Sequence, residues 1–372
     1  MTAMKAIKIM LKPNKKQTSK LFQCANISRW AYNWALAKEQ QNYKDDNKFI
    51  SDYILMKEVT QLKKTEEYKW LNDVSAQIPK QAIKDACIAY NNFFKGKAKY
   101  PKFKSKKHST PKFYQDNVKI KFTNTHVKFE GLAINKKANK QKLNWIRLAE
   151  KNRVPTNCKY FNPRVTFDGL NWWISVGIEY EISADKPINQ GIGIDLGIKD
   201  LAICSDRNTY KNINKSKEVK RLEKKKRRLQ RRISKGYLIN KKGDNYCKTS
   251  NIVKRKKELL KLNKRLTNIR KNYLHQTTTE IVSRKPMFIT IEDLNVIGMM
   301  KNKHLSKALQ QQSLYEFVRQ LRYKSYWNHV EMRQVDRFYP SSKTCHKCGN
   351  IKKDLNLSDR VYICECGYRE DR

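Results

Sequence analysis

Six side chains in the second half of the chain have the types and spacing for chemistry. Asp195 closes the apolar run GIGID, stands before a glycine turn, and is followed by a second apolar run, LAIC. Glu292 closes another apolar run, MFITIE. A carboxylate at the end of an apolar strand loses hydration unless a cation or donor compensates. Two such strands side by side would suit Mg2+. One ion would lower the pKa of an attacking water and a second, roughly 4 Å away, would stabilise the leaving oxygen. Either acid alone is equally well explained as a turn residue. The other four are Cys345 and Cys348 in TCHKCGN, and Cys364 and Cys366 in ICECGY. Two close pairs, each beside a glycine, fit two knuckles around one tetrahedral Zn2+ in a structural role. The second pair is one residue shorter than the common C-x2-C, which tightens its knuckle. A disulfide pairing fits poorly with a reducing compartment. The five remaining cysteines (Cys24, Cys87, Cys158, Cys204, Cys247) are scattered and read as buried thiols.

These residues need elements to hold them. Residues 4–12 alternate as a strand that Pro13 ends. From Thr18 to Phe94 the period is helical. Leu21, Cys24, Ala25, Ile27, Ala31, Trp34 and Ala35 share one face. A later helix over 74–94 has Ile83, Ala86, Cys87, Tyr90 and Phe94 as its apolar stripe, with Pro79 in its first turn. Residues 117–181 read as short strands punctuated by turns, as in a small antiparallel barrel. Asp195 lies in strands over 191–210. Residues 215–280 predict a basic helical hairpin with Leu259, Leu262 and Leu266 at heptad-like spacing, its helices separated by a loop with Gly236, Gly243 and Asp244. The Glu292 strand, a helical region over 303–328, and the strand VEMRQVDRFYP precede the cysteines. There is no internal repeat.

Charge sets the partner class. The chain has 81 Lys and Arg against 34 Asp and Glu, a net +47 over 372 residues. Such a chain repels itself unless a polyanion neutralises it, and nucleic acid is the natural one. An apolar fraction of 39% excludes global disorder. There is no apolar run of membrane-spanning length and no signal core, so a cytoplasmic, nucleoid-associated prokaryotic location is expected. Two stretches carry the charge. In the first, Lys102, Lys104, Lys106 and Lys107 interleave with Tyr100, Phe103, Phe113 and Tyr114, which suits phosphate contact with base stacking. In the second, Lys224, Lys225, Arg227, Arg228, Arg231 and Arg232 crowd one helix of the hairpin.

RNase H-like nucleases present carboxylates from adjacent central strands in the manner expected of Asp195 and Glu292. The segments GIDLGIKDLAICSD, IEDLNVIGMMKNKHLSKAL, LRYKSYWNHVEMRQVDRFYPSSKTCHKCGN and LNLSDRVYICECGYREDR resemble TnpB, the RNA-guided nucleases of bacterial transposons, which are related to compact type V CRISPR nucleases. The order of Asp strand, basic hairpin, Glu strand and PSSKTC ribbon covers residues 191–372. The ISRWAYNWAL helix and the NNFF and YPKFKSKK stretches extend the likeness toward the amino terminus.

The resemblance implies an α/β and α+β multidomain protein. Residues 1–12 and 95–182 would form a wedge-like β-barrel, with residues 13–94 as an inserted helical recognition domain. Residues 183–336 would form a RuvC-type RNase H-like domain, including the basic hairpin 215–280, and residues 337–372 a zinc ribbon. It implies a guide RNA of the omega type and a double-stranded DNA target with a short adjacent motif. Lys80, Gln81 and Lys84 are candidates to read that motif. Family members continue as DRD-x-NAA, and the second Asp is the third metal ligand. Here Asp371 aligns with the first Asp, and the chain ends at Arg372. The resemblance therefore implies a cleavage-defective, guided DNA-binding protein acting as a transcriptional repressor. Two alternatives stay open. One is an active Mg2+-dependent DNA endonuclease, completed by Asp371 or by a longer chain. The other is a general RNA-binding protein.

Overall fold

The computed structural model describes residues 2–45, 49–132, 142–182, 190–336, 339–340, 343–345, 347–352 and 361–371, the last two residues without their side chains. It divides into two compact units, residues 1–182 and 183–372. Among the described residues no helix is long and apolar enough to cross a membrane.

Unit 1 is organised by strand β1 (Thr2–Lys12), whose alternate residues Ile7, Ile9 and Leu11 are buried. Pro13 ends the strand and Asn14 caps the helix that follows, α1 (Lys15–Lys44). The Asn14 side chain accepts from the Gln17 amide at 2.8 Å, and Gln17 Oε1 accepts from the Asn14 amide at 3.0 Å, so a capping box fixes the turn. Two further helices are α2 (Asp52–Leu62) and α3 (Gln77–Phe94). The remaining strands are β2 (Lys112–Tyr114), β3 (Lys121–Phe122), β4 (His126–Lys128), β5 (Trp145–Leu148), β6 (Phe161–Phe167) and β7 (Trp172–Glu181). β1 pairs antiparallel with β7 along its length and with β5 at its end.

The expected barrel is not formed. The sheet is open, in the order β2-β6-β7-β1-β5-β4-β3, and no closed barrel occurs among the described residues. The edge strands β2 and β3 have three and two residues. The apolar face of the sheet is covered by helices instead of by the sheet curling on itself. Ile9, Val165, Ile174 and Val176 share one core with Leu21, Ala31, Ile83 and Tyr90. The α3 stripe is also shorter than expected: Tyr90 is buried, but Phe94, at the last position of the helix, is exposed.

Unit 2 is built on a five-stranded sheet. β8 (Ile192–Leu196), β9 (Asp200–Cys204) and β10 (Thr209–Lys211) are antiparallel neighbours. The basic hairpin follows as α4 (Lys217–Ile239), β11 (Lys241–Lys242), β12 (Asn245–Tyr246) and α5 (Ser250–Ser283). Next come β13 (Phe288–Glu292), α6 (Val296–Met299), α7 (Ser306–Gln312), α8 (Leu314–Trp327) and β14 (Glu331–Val335). The sheet order is β10-β9-β8-β13-β14, with β13 parallel to both β8 and β14. Ile192, Ile194, Ile289 and Ile291 pack with Leu274 and Ile281 of α5 and with Phe317 and Leu321 of α8.

The two hairpin helices pack through Val219, Leu222, Leu262 and Leu266. Leu259 is only half-buried. Gly236, expected in the loop, lies inside α4, where its missing Cβ makes room for Ile252; a Cβ there would stand 3.2 Å from that side chain. Cys24, Cys87 and Cys204 are buried as expected, whereas Cys158 and Cys247 are half-buried.

One charge lies between α5 and α8. Lys324 is buried, and its ammonium donates to His275 O, Thr278 Oγ1 and Thr279 Oγ1, each at 2.7 Å. With no carboxylate opposite among the described residues, burial lowers its pKa to about 8. The unfolded value is about 10.4. The unfolded chain therefore holds more protons between these values, and stability from this group rises with pH across that window. Below about pH 8 the penalty of the buried charge is complete. Lys324→Met removes the term. Urea midpoints of both proteins at about pH 7 and about pH 9.5 should show wild type gaining on the variant at the higher pH. A difference independent of pH would contradict this placement of the charge.

Candidate functional site

The parallel register decides where the two carboxylates lie. Ile289, Thr290 and Ile291 stand opposite Ile192, Gly193 and Ile194. One step further along both strands are Glu292 and Asp195. Side chains alternate across a sheet, so these two acids share the face opposite the buried isoleucines. Asp195 is exposed and Glu292 half-buried. The adjacent turn is held from below: buried Gln312 donates to Gly197 O at 3.1 Å and to Asp200 O at 3.4 Å, and Asn212 donates to Ile198 O at 2.7 Å. Beyond Glu292, Arg322 donates to Gln334 Oε1 at 2.9 Å, and Gln334 donates to Asp293 Oδ1 at 2.7 Å. A cavity of about 210 Å3 opens there, lined by Glu292, Asp293, Arg319 and Arg322 among others. Gln312, Gln334 and Arg322 carry no sequence signal, because glutamine and arginine on a helix or an edge strand read as ordinary surface. Asp371 lies on β16 (Arg369–Asp371), opposite Val361 of β15 (Val361–Ile363). Its side chain is outside the described part of the chain.

The cysteines converge. The Sγ atoms of Cys345, Cys348, Cys364 and Cys366 all lie within 4.8 Å of one another. Cys345 is 3.6 Å from Cys366, and Cys348 is 3.5 Å from Cys364. Tetrahedral thiolates at a bond length of ~2.3 Å are ~3.8 Å apart, so the cluster matches the size of one zinc ion. Both knuckles turn on glycine with positive φ, 75° at Gly349 and 84° at Gly367. The Gly349 amide donates to Cys345 O and the Gly367 amide to Cys364 O. The short second pair is thereby accommodated. Burial opposes the Cys345 thiolate, but the Cys348 and Lys347 amides and the Cys348 and Cys364 thiols outweigh it and bring the pKa down to about 6. At Cys348 the Asn350 amide favours the thiolate, but hydrogen bonds with the other three thiols push it up to about 12. The cluster already favours one thiolate, and a soft cation would displace the remaining protons.

Cationic surface occurs in each unit. On α4, Lys224, Lys225, Arg227, Arg228, Arg231 and Arg232 are all exposed. The acids of the hairpin are engaged: Glu218 with Arg265, Glu223 with Arg270, Glu258 with Lys225 and Glu280 with Arg284. The other cations of that row have no acidic partner among the described residues. In unit 1, Lys106 and Lys107 line a groove of about 860 Å3 with Lys8, Arg29, His108 and the ring of Phe22. Lys8 and Arg29 were not expected there; nothing in their sequence context marks them.

The other candidates are less simply placed. Lys102 is exposed, but Lys104 is turned inward. Its backbone is held in both directions by Asn33, and its ammonium lies over the Tyr32 ring. Burial lowers its pKa to about 7, with Lys112 adding to the effect. On α3, Lys84 is exposed and Lys80 half-buried, while Gln81 donates to Asp85 Oδ1 at 3.0 Å. Asp85 also accepts two bonds from Arg164, at 2.7 and 3.0 Å. Burial works against the Asp85 charge, but Arg164, Gln81 and Lys104 hold its pKa below the usual carboxylate value. Phe113 cannot stack on a base as expected, because it is fully buried on β2. Tyr114 lies under the Arg164 guanidinium.

Residues 174–303 match the OrfB_IS605 family, described as "Probable transposase". Residues 315–372 match the "Cas12f1-like, TNB domain", and residues 1–48 the "Helix-turn-helix domain" of OrfB_IS605 proteins. The chain is thus similar to the OrfB_IS605 proteins over residues 1–48 and 174–303 and to the Cas12f1-like TNB domain over its last part. Within the helix-turn-helix match, the described residues 2–45 form β1 followed by one 30-residue helix. An Escherichia coli K12 protein named "Putative RNA-guided DNA endonuclease InsQ" is 29% identical over 98% of this chain and 88% of its own length. A Streptomyces pristinaespiralis protein named "Putative RNA-guided DNA endonuclease" is 28% identical over 99% of the chain and 86% of its own. The solved structure described as "Cryo-EM structure of the Cas12f1-sgRNA-target DNA complex" is similar at a TM-score of 0.60 and 13% identity, covering 98% of this chain and 96% of that one. At that identity the likeness is one of fold.

The cysteine geometry predicts a metal content. The purified chain should bind one Zn2+, and Co2+ in its place should give tetrahedral thiolate absorption bands. Cys345→Ser or Cys364→Ser should abolish stoichiometric retention after dialysis. A variant that still holds one ion per chain would contradict the four-thiolate site.

Proposed function

We propose that this chain is a TnpB-type, RNA-guided DNA-targeting protein. Its unit 2 is a RuvC-type RNase H-like domain, and Asp195 and Glu292 are its metal-holding carboxylates. The observation that carries the proposal is the β8–β13 register, which brings the two acids to neighbouring positions on one face. Three antiparallel strands continued by two parallel ones support the RNase H-like reading. So do the names of the relatives and the charge of +47.

The donor set fits the ion. Carboxylate oxygens at the ends of two neighbouring inner strands are hard ligands of the kind Mg2+ takes. Bound there, Mg2+ would supply Lewis-acid activation of water and stabilisation of the leaving oxygen. The chain's own part is positioning. Gln312 fixes the turn after Asp195, and the pair Arg322 and Gln334 fixes the chain after Glu292. The four cysteines would hold a structural zinc. The α4 cations and the groove with Lys106 and Lys107 would take phosphates of the guide RNA and its paired target. Lys80, Gln81 and Lys84 remain the candidates for reading a motif beside the target, with Lys84 the most accessible. The relatives are named endonucleases, and this favours reading the carboxylate pair as a working site over the expected cleavage-defective repressor.

The test uses the full chain co-purified with RNA transcribed from its flanking DNA, and matched or mismatched duplexes. Retention of the matched duplex in buffer without Mg2+, and its cutting once Mg2+ is added, are expected. Asp195→Ala should lower cutting more than about 100-fold without weakening retention. Absence of guide-dependent retention would contradict DNA targeting. Retention with no cutting by wild type, or with cutting indifferent to Asp195→Ala, would contradict the carboxylate assignment.

A further inference from the structure

We propose that the exposed rings of Tyr43, Phe94 and Tyr100 form a stacking platform for an unpaired nucleobase. The proposal rests on the nucleic-acid reading above and gives it a specific contact. The three residues are 53%, 50% and 41% exposed. They come from three places: the end of α1, the end of α3 and the segment after it. The ring centroids of Tyr43 and Phe94 are 5.8 Å apart. Phe93 bridges the other two, 5.5 Å from Phe94 and 5.2 Å from Tyr100.

The rings are anchored from below. Tyr90 is 1% exposed, stacks near-parallel with Phe94 at 5.8 Å, and shares a 2.9 Å hydrogen bond with the Tyr100 hydroxyl. The connecting loop is fixed as well. Gly96 takes a positive φ of 66°, and the amides of Lys97 and Ala98 both donate to Asn92 O, at 2.8 and 3.1 Å. Phe94 and Tyr100 are therefore held before any ligand arrives, which limits the conformational entropy lost on stacking.

The surroundings choose the occupant. Lys44, Lys95, Lys97 and Lys99 are exposed around these rings in sequence, and the nearby Asp45 carboxylate accepts from the Gln41 amide at 3.0 Å. Exposed aromatic rings with exposed lysines beside them in the chain suit a single-stranded nucleic acid, whose bases stack while its phosphates meet the lysines. Among the aromatics interleaved with the basic segment, Phe113 is buried and Tyr114 is covered by Arg164, so neither can serve. Unpaired bases of a guide RNA and of a displaced DNA strand share this stacking chemistry, and the RNA and DNA arms of the experiment separate them.

The experiment measures binding of the full chain to 2-aminopurine-labelled single-stranded RNA and single-stranded DNA of one sequence, with an unlabelled RNA duplex as control. Tyr43→Leu/Phe94→Leu removes two aromatic faces at exposed positions while retaining apolar side chains, and Phe94→Trp keeps a ring. Wild type and Phe94→Trp should bind the single strand and quench the label. The double variant should lose quenching and about five- to hundredfold in single-strand affinity, with duplex affinity held within about twofold by phosphate contacts. A larger loss on RNA assigns the guide and a larger loss on DNA the displaced strand. Unchanged single-strand binding and quenching, or an equal loss on the duplex, would overturn the platform alone. Wild type without affinity for any of the three would overturn the nucleic-acid reading and the platform with it.

Discussion

The account depends on the parallel pairing of β8 with β13. One register sorts the side chains of both strands: the isoleucines go down onto α5 and α8, and Asp195 and Glu292 go up. A slip of one residue in either strand would bury that strand's acid and expose its isoleucines, so the core that stabilises unit 2 also fixes the carboxylates. The packing does not by itself fix the strand ends. That falls to polar side chains with no other evident role, Gln312 beneath the turn after Asp195 and Gln334 beside Asp293. Burying an amide such as Gln312 is tolerated because its bonds to Gly197, Asp200 and Asn214 satisfy it.

Charge is distributed by the same economy. Acids are few, and those of the hairpin bridge its two helices or brace its end. The outward row of α4 is thus left cationic, and its self-repulsion favours a polyanionic partner. In unit 1 the basic stretch divides. Lys106 and Lys107 face a groove, Lys104 turns onto a tyrosine ring, and the aromatics split between core and surface. A linear run of lysines is in effect three local environments.

Much of this was legible in the residues. Strand-end acids, a strand stopped by Pro13 and two cysteine pairs beside glycines each carry local physics, and the strand ends, the stop and the cysteine cluster lie where that physics puts them. The barrel was not legible. Alternation marks a strand and its buried face but not its neighbours, and short antiparallel strands are compatible with closure or with a helical cover. Phe94 shows the same limit on a helix, since periodicity names the face but not the position at which the covering partner ends. Gly236 was misread because glycine signals a turn by default, and only the approach of Ile252 explains it within a helix. Gln312 and Gln334 were invisible, because what distinguishes them is the carbonyl or carboxylate they reach.

The claim that Asp195 and Glu292 form one site is tested most directly by Mn2+ binding, read by electron paramagnetic resonance, in a double-mutant cycle. The account predicts that Asp195→Asn and Glu292→Gln each weaken binding of the tightest ion and that the double variant is little worse than either. Independent, additive losses, or wild type with no more affinity than the double variant, would contradict it.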